Sequence, residues 1–264
     1  MGSGEDIRLR QARAVVEAAE EHDRALCGPD EARAVAELDA LLPDLRRAVE
    51  IARDDPALIG RLAGAVHRYG YHRQLPEVLA WGLYAAGSGC AAALAAAATC
   101  AWYRGDLAGA RELLASAPAD PAVHEVLGAL ALVAGDTGTA LANFRAMAVL
   151  ATDDAVRASG LAAQALVLAR SAHPDEAVTT GGSAWEIAEG TGNPSARAAA
   201  RHALGEALGD RDPLRALALL DEAADLARSV SNRLVLDAVT SAAAAIRSGA
   251  AREQRRIGPS DAST

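Results

Sequence analysis

The side chains able to do chemistry are few, and their spacing does not assemble a reactive centre. Histidine occurs at His22, His67, His72, His124, His173 and His202. His67 and His72 are five apart, which does not put two imidazoles on one helical face as an i, i+4 zinc pair would, and no metalloprotease glutamate accompanies them. Gly87-Ser88-Gly89 lacks the flanks of a nucleophile elbow. Gly181-Gly182-Ser183 follows no strand, so it predicts a close-packing point inside a helix rather than a phosphate cradle. Carboxylate pairs such as Glu20-Glu21 and Asp54-Asp55 read as solvated helix faces and ends. All 26 basic residues are Arg. With no Lys, a P-loop lysine, a lysine Schiff base and a Ser–Lys pair are all excluded. Cys27, Cys90 and Cys100 fit neither a zinc pattern nor a disulfide framework and predict buried thiols in a reducing compartment. No catalytic residue, metal or cofactor is expected, and the chain does not read as an enzyme.

The elements that would position any binding residue are helices. The chain has 264 residues and is 51% hydrophobic, yet only 3% aromatic. Ala and Leu must therefore supply the core, as in close-packed helices rather than β-sandwiches or barrels. A net charge of −9 argues against direct nucleic-acid binding. The apolar run Ala91 to Ala98 is too short for a membrane span, and no apolar stretch follows Met1-Gly2-Ser3-Gly4 as in a signal peptide. A cytoplasmic protein is expected. The opening helix should run from about Asp6 to Leu26, and Asp30 is placed to cap the next, in which Pro43 predicts a kink or break near Leu42.

A repeat then organises the chain. Gly105-Asp106 precedes Ala110, and Gly135-Asp136 precedes Ala140 thirty residues on. Pro174-Asp175 before Ala177 and Asp212-Pro213 before Ala216 continue the series, and Arg73-Gln74-Leu75 before Val78 begins it. Helical hairpins with a period of about 30–40 residues cannot bury their apolar faces singly and must stack. Leu127, Gly128, Ala140 and Phe144 fall at the spacing of the Leu-Gly, Ala and Phe positions of tetratricopeptide repeats. Leu204-Gly205, Ala216, Leu220 and Ala223 repeat it with a shorter turn. The expected fold is all-α, a right-handed α-solenoid of tetratricopeptide-like helical hairpins.

Longer segments resemble a particular setting for such repeats. Leu38 to Ala48, Leu62-Ala63 through Tyr69-Gly70-Tyr71, Ala203 to Leu208 and Arg215 to Ala223 are similar to the region that follows the ATPase module in SARP-type and LuxR-type bacterial transcription regulators. The resemblance implies a C-terminal sensor or autoinhibitory region whose partners include the NTPase and DNA-binding domains of the same regulator, with a small-molecule effector as a further ligand. This chain carries neither a nucleotide-binding motif nor a helix-turn-helix, so those roles would lie elsewhere. A freestanding adaptor or scaffold is the alternative.

The expected organisation is a vector-derived or disordered start at 1–5, leader helices at 6–55, tetratricopeptide-like repeats with a capping helix at 56–250, and a disordered tail at 251–264. First helices of such hairpins line the concave surface. The repeat register places His67, Tyr71, Thr99, Trp102, Tyr103, Glu125, Arg170, His202 and Glu206 there, where aromatic faces and an Arg clamp could hold a peptide, protein or small ligand. Trp81 and Trp185, on second helices, are expected in the core.

Overall fold

Helix starts are marked by short polar residues that satisfy the first free N–H groups, often with proline in the first turn. Asp55, Asp106, Asp120, Asp136, Asp153, Asn193 and Asp212 each accept a backbone N–H at the head of a helix. The structure, a computed structural model, describes the backbone of residues 2–257 and side chains within 6–249. Its helices are α1 (Gly2–Ala25), α2 (Glu31–Ala52), α3 (Pro56–Ala65), α4 (His67–His72), α5 (Pro76–Ala80), α6 (Ala91–Tyr103), α7 (Leu107–Ala115), α8 (Pro121–Val133), α9 (Thr137–Leu150), α10 (Asp154–Arg170), α11 (Pro174–Thr191), α12 (Pro194–Leu208), α13 (Pro213–Ser229) and α14 (Arg233–Ile257). A 3₁₀ turn, Trp81–Ala85, extends α5. There is no strand among the described residues.

Three local expectations are corrected. Pro43 does not break α2, which continues through it; the proline removes one donor, and packing of Leu38, Leu45 and Val49 on both sides of it holds the helix together. Asp30 stands at the N-cap of α2 but makes no side-chain cap bond; its carboxylate pairs with Arg33 instead. The disordered ends expected at 1–5 and 251–264 are helical in part, since α1 begins at Gly2 and α14 reaches Ile257. Extending a helix already nucleated by packing costs little per residue, and Ala, Arg, Glu and Gln favour it. Residues 1 and 258–264 lie outside the described residues.

The repeat is built on one turn. At Gln74, Gly105, Gly135, Ala172 and Ser231 the backbone enters the left-handed region, with φ between 53° and 84°. The following residue donates its N–H to the carbonyl five back: Leu75 to Gly70, Asp106 to Ala101, Asp136 to Ala131, His173 to Leu168 and Asn232 to Ala227. This is the Schellman closure of a helix, which favours glycine at the left-handed position. Glycine fills it twice, and an L side chain is strained at the other three. Ala172→Gly is expected to stabilise the protein by about 1 kcal/mol, and Gly135→Ala to destabilise it by about as much, measured by urea unfolding.

Hairpins α6/α7, α8/α9, α10/α11 and α12/α13 stack in order behind the leader pair α1/α2, with α3 to α5 as an irregular hairpin between. First helices pack in series, α1 on α3, α3 on α6, α6 on α8, α10 on α12 and α12 on α14, and α9 packs on α10. Small residues set the approach. A Cβ on Gly128 would lie 2.6 Å from the Phe144 ring, and one on Gly205 would lie 3.0 Å from Leu220 and 3.2 Å from the Ala216 carbonyl. These are the positions the repeat spacing singled out.

The stack does not remain an open arc. The head of α14 reaches α4, where Leu234 packs on the cluster of Tyr71, Leu79, Ala96 and Cys100. The α11–α12 connection reaches the α1–α2 turn. Asn193 Nδ2 approaches the carbonyls of Leu26 at 2.9 Å and Gly28 at 3.0 Å and the Glu31 carboxylate at 3.1 Å. Ser195 donates its N–H to the same carboxylate at 2.8 Å, and its hydroxyl also bonds to Glu31. Asn232 Nδ2 donates to Ser195 Oγ at 2.8 Å. Glu31, Asn193, Ser195 and Asn232 are all buried, so this clasp joins the first hairpin to the last two. Trp81 is buried in the core as expected, while Trp185 is half-buried with the Arg201 guanidinium over its ring at 4.5 Å.

Candidate functional site

Closure of the solenoid leaves a cavity of about 620 Å³ at its centre. Its wall brings together Asp23 of α1, Cys27 of the α1–α2 turn, His67, Arg68 and His72 of α4, Glu125 of α8, Asp153 before α10, and the clasp residues Asn193 and Ser195. The volume falls in the range of small-molecule pockets.

The cavity is polar in an unusual way for a solenoid interior. His67 is 4% exposed and its ring stacks on Tyr71 with centroids 5.8 Å apart. Its Nε2, like Arg68 Nε, is buried with no hydrogen-bond partner among the described residues. The Arg68 guanidinium faces Asp23, with Nε 3.7 Å from the carboxylate. Burial, reinforced by the Arg68 charge, pushes the imidazoles of His67 and His72 down to about 3, so both are neutral at pH 7. Burial pushes the Glu125 carboxyl up to about 7 against the pull of Arg68. Burial likewise pushes the Cys27 thiol up to about 11, which makes it unreactive at neutral pH.

Of the residues the repeat register assigns to the concave face, His67 and Glu125 line this cavity. Tyr71 lies behind His67 in the core, 4% exposed. Thr99 is a correction: it is fully buried and its hydroxyl donates to the Ala95 carbonyl at 2.8 Å within α6. Thr99 stands on a part of α6 sealed by the helices packed around it, α3, α5, the 3₁₀ turn, α7 and α8. Trp102 is half-buried between two apolar clusters, and its ring lies 5.7 Å from that of Tyr103, which is exposed.

Arg170, His202 and Glu206 come together, but with one another. Arg170 makes a forked pair with Glu206 at 3.0 and 2.7 Å, and His202 Nε2 lies 2.9 Å from the same carboxylate. A carboxylate only accepts, so that imidazole nitrogen carries the proton. Burial alone would raise the Glu206 carboxyl, but the bonds from His202 and Arg170 outweigh it and hold it at about 2. A depressed pKa stabilises the fold above the ordinary carboxylate value, and that stability is lost as pH falls toward the folded value. Glu206→Gln is therefore expected to cost about 1–3 kcal/mol at pH 7, in proportion to the shift. The gap from wild type should narrow steadily between pH 5 and pH 2, checked by urea unfolding across that range.

The free cysteines are less buried than their spacing suggests. Cys100 is buried, whereas Cys27 and Cys90 are half-buried. Sequence reasoning missed Asp23, Arg68 and His72, and the clasp Glu31, Asn193, Ser195 and Asn232. His72 was visible as a histidine but set aside with the metal pair it does not form. The cavity and clasp residues sit on segments far apart in the chain, so no local spacing marks them.

The helical hairpins have counterparts among solved structures. The chain aligns with the crystal structure of the APC/C hetero-tetramer Cut9–Hcn1 with a TM-score of 0.53 at 16% identity, over 88% of this chain and 47% of that one. This chain thus spans about half the length of that neighbour. It also aligns with YrrB, a TPR protein described as having an unusual peptide-binding site, with a TM-score of 0.43 at 19% identity, over 74% of this chain and 96% of that one. No protein-family profile and no curated protein sequence matches the chain. The fold is an all-α tetratricopeptide-like solenoid. Residues of α1, α4, α8, α9 and α10 share the wall of this cavity, and no helix is long and apolar enough to cross a membrane among the described residues. No group of His, Cys, Asp and Glu among those residues is arranged to hold a metal ion.

Proposed function

We propose that this solenoid is a non-catalytic sensor module of a bacterial transcription regulator. It binds a ligand in its central cavity and passes the bound state to the NTPase or DNA-binding domains it works with. The observation that carries this reading is the closure of the ring around a cavity of about 620 Å³ whose wall includes Asp23, Arg68, His72, Glu125 and Asp153. A cavity of this volume suits a compact ligand. Binding would act by population shift: a ligand touching α1, α4 and α8 at once favours the closed arrangement over one in which the clasp has parted. The resemblance of the leader and repeat segments to SARP-type and LuxR-type regulators supports the partner domains.

The test is a thermal-shift screen of small metabolites on the full chain. A ligand at a hundred times its Kd adds about 2.7 kcal/mol to the folded state. That corresponds to roughly 5–10 °C in Tm for a chain of this size. A screen without any hit, together with capture of a partner that binds equally well when the cavity is filled by Ser159→Trp, would overturn the sensor reading.

A second reading is an adaptor that joins proteins through its outer surface. It is favoured by apolar side chains that stand out from the helices, with Val149 and Leu214 each 84% exposed and Tyr84 53% exposed. Loss of a captured partner on Val149→Asp or Leu214→Asp, with the fold intact, would decide for it.

A further inference from the structure

We propose that a groove over α6, between the 3₁₀ turn and α7, docks an amphipathic helix of a protein partner, with Arg104 and Glu112 pairing to an acid and a base on that helix. The groove shares no lining residue with the central cavity. Its origin is a pair of short second helices. The five-residue α5 with its five-residue 3₁₀ turn precedes α6, and the nine-residue α7 follows it. In the later hairpins the second helices α9, α11 and α13 have 14, 18 and 17 residues. The short pair leaves part of α6 open along a groove of about 620 Å³. Leu83 of the 3₁₀ turn, Leu94 of α6 and Leu113 of α7 make its lining apolar, and small residues at Ala86, Gly89, Ala101 and Gly109 keep it open. A Cβ on Gly89 would meet no atom within 4 Å. Leu83 is 38% exposed and Tyr84 beside it 53% exposed, although both belong to a turn that is otherwise buried. Exposed apolar surface with a polar rim marks an interaction site.

The chemistry of the lining selects the occupant. Helices and turns form the groove, with no strand edge, so an extended segment would leave its backbone N–H and C=O groups unpaired against leucine. A helix satisfies its own backbone and offers apolar side chains at i, i+3 or i+4, and i+7. Leu94 and Ala101 are seven residues apart on α6, about 10.5 Å, which is the span of that pattern. Arg104 and Glu112 are exposed and take part in no ion pair or side-chain hydrogen bond among the described residues. Asp106, the other charged residue of the lining, is occupied as the cap of α7, accepting the Gly109 N–H at 2.8 Å. Glu112 lies roughly 9 Å along α7 from that cap, whereas Arg104 precedes it, so the two free charges stand at separate points along the groove. A wholly apolar molecule would take water from both and return no partner. A helix with an acid near one end of its apolar stripe and a base near the other meets both. A second copy of this chain brings a further net charge of −9 and is repelled.

The test pans a phage-displayed library of helical peptides against the full chain, with leucine fixed at i, i+4 and i+7 and the flanking positions randomised. The expected result is an enriched set with Asp or Glu at one flank and Arg or Lys at the other. Binding of a labelled peptide from that set, followed by fluorescence anisotropy, should weaken tenfold or more in Leu83→Asp. Leu83 and Arg104 are both exposed, so the helical circular-dichroism spectrum and Tm of their variants should match wild type. Panning repeated on Arg104→Glu should change the selected acid to a base, which a purely apolar contact would not do. No enrichment over a blank surface overturns the proposal. So does an enriched set without charge preference, or binding that both variants leave unchanged. Self-association of the full chain that Leu83→Asp abolishes would assign the groove to a second copy and overturn the partner helix. Each of these failures leaves the sensor reading in place, since no residue of the central cavity is involved.

Discussion

Replacing Glu31 with alanine should lower the unfolding free energy by about 2–4 kcal/mol, because both buried donors of Ser195 lose their acceptor and Asn193 is left with the Leu26 and Gly28 carbonyls alone. The carboxylate takes bonds from Asn193 Nδ2, from the Ser195 backbone and from the Ser195 hydroxyl, and it is 2% exposed. Burial raises its carboxyl, and the bonds from Ser195 and Asn193 pull it back. The Asn193 side-chain oxygen already caps Ala196 at 2.8 Å and is not free to accept from Ser195 in its place. Water could relieve the donors only by entering, and that means parting the α1–α2 turn from the α11–α12 connection. The measurement is urea unfolding followed by both circular dichroism and tryptophan fluorescence, with small-angle scattering on the folded variant. Noncoincident transitions and a larger radius of gyration are expected, because Trp81 sits in the leader-side core and Trp185 on the far side of the clasp. A loss under 1 kcal/mol with unchanged dimensions would mean the ring is held by apolar contacts alone.

Much of this architecture was legible in the sequence, and the illegible part has a common cause. The Gly-Asp turns at Gly105 and Gly135 announced hairpins, since a left-handed residue followed by a capping Asp is a local signal. The Gly128–Phe144 approach followed from spacing alone. Even Arg170, His202 and Glu206 were correctly placed on first helices, one repeat apart, though spacing cannot say whether such residues await a ligand or each other. Thr99 misled because α6 is apolar on every side, so periodicity assigns it no outward face. Closure was invisible for a different reason. Asn193 meets Leu26 across 167 residues, and a contact at that separation leaves no periodic trace. The sum of small rotations between hairpins decides it, and each depends on residues such as Gly160, where an added Cβ would stand 3.0 Å from the Ala148 nitrogen. The cavity exists only because the ring closes, so its polar wall was as hidden as the closure itself.

Gly82→Ala should be the most damaging single-methyl change in the repeat region, at about 3 kcal/mol. A Cβ there would lie 2.5 Å from the Ala93 carbonyl oxygen and 2.5 Å from the Ala97 nitrogen. Both are backbone atoms of α6, the helix that touches more neighbours than a hairpin partner alone and is sealed by Ala95, Ala96, Ala97 and Ala98, all at 0% exposure. No side chain can rotate away, so either the 3₁₀ turn or α6 must shift, and overpacking of this kind commonly costs 1–3 kcal/mol and sometimes more. Comparison with two other glycines separates the clash from any general effect of losing glycine. At Gly128 the nearest atoms an added Cβ meets belong to the Phe144 ring, a side chain that can shift where backbone cannot, so about 1–2 kcal/mol is expected. Gly182→Ala meets nothing within 4 Å in the middle of α11 and should stabilise by about 0.5–1 kcal/mol through helix propensity. The predicted order in urea midpoint is therefore Gly182→Ala, wild type, Gly128→Ala, Gly82→Ala. If Gly82→Ala stood level with Gly128→Ala, the 3₁₀ turn would be yielding, and the contact that fixes α5 against the central helix would be looser than the backbone distances require.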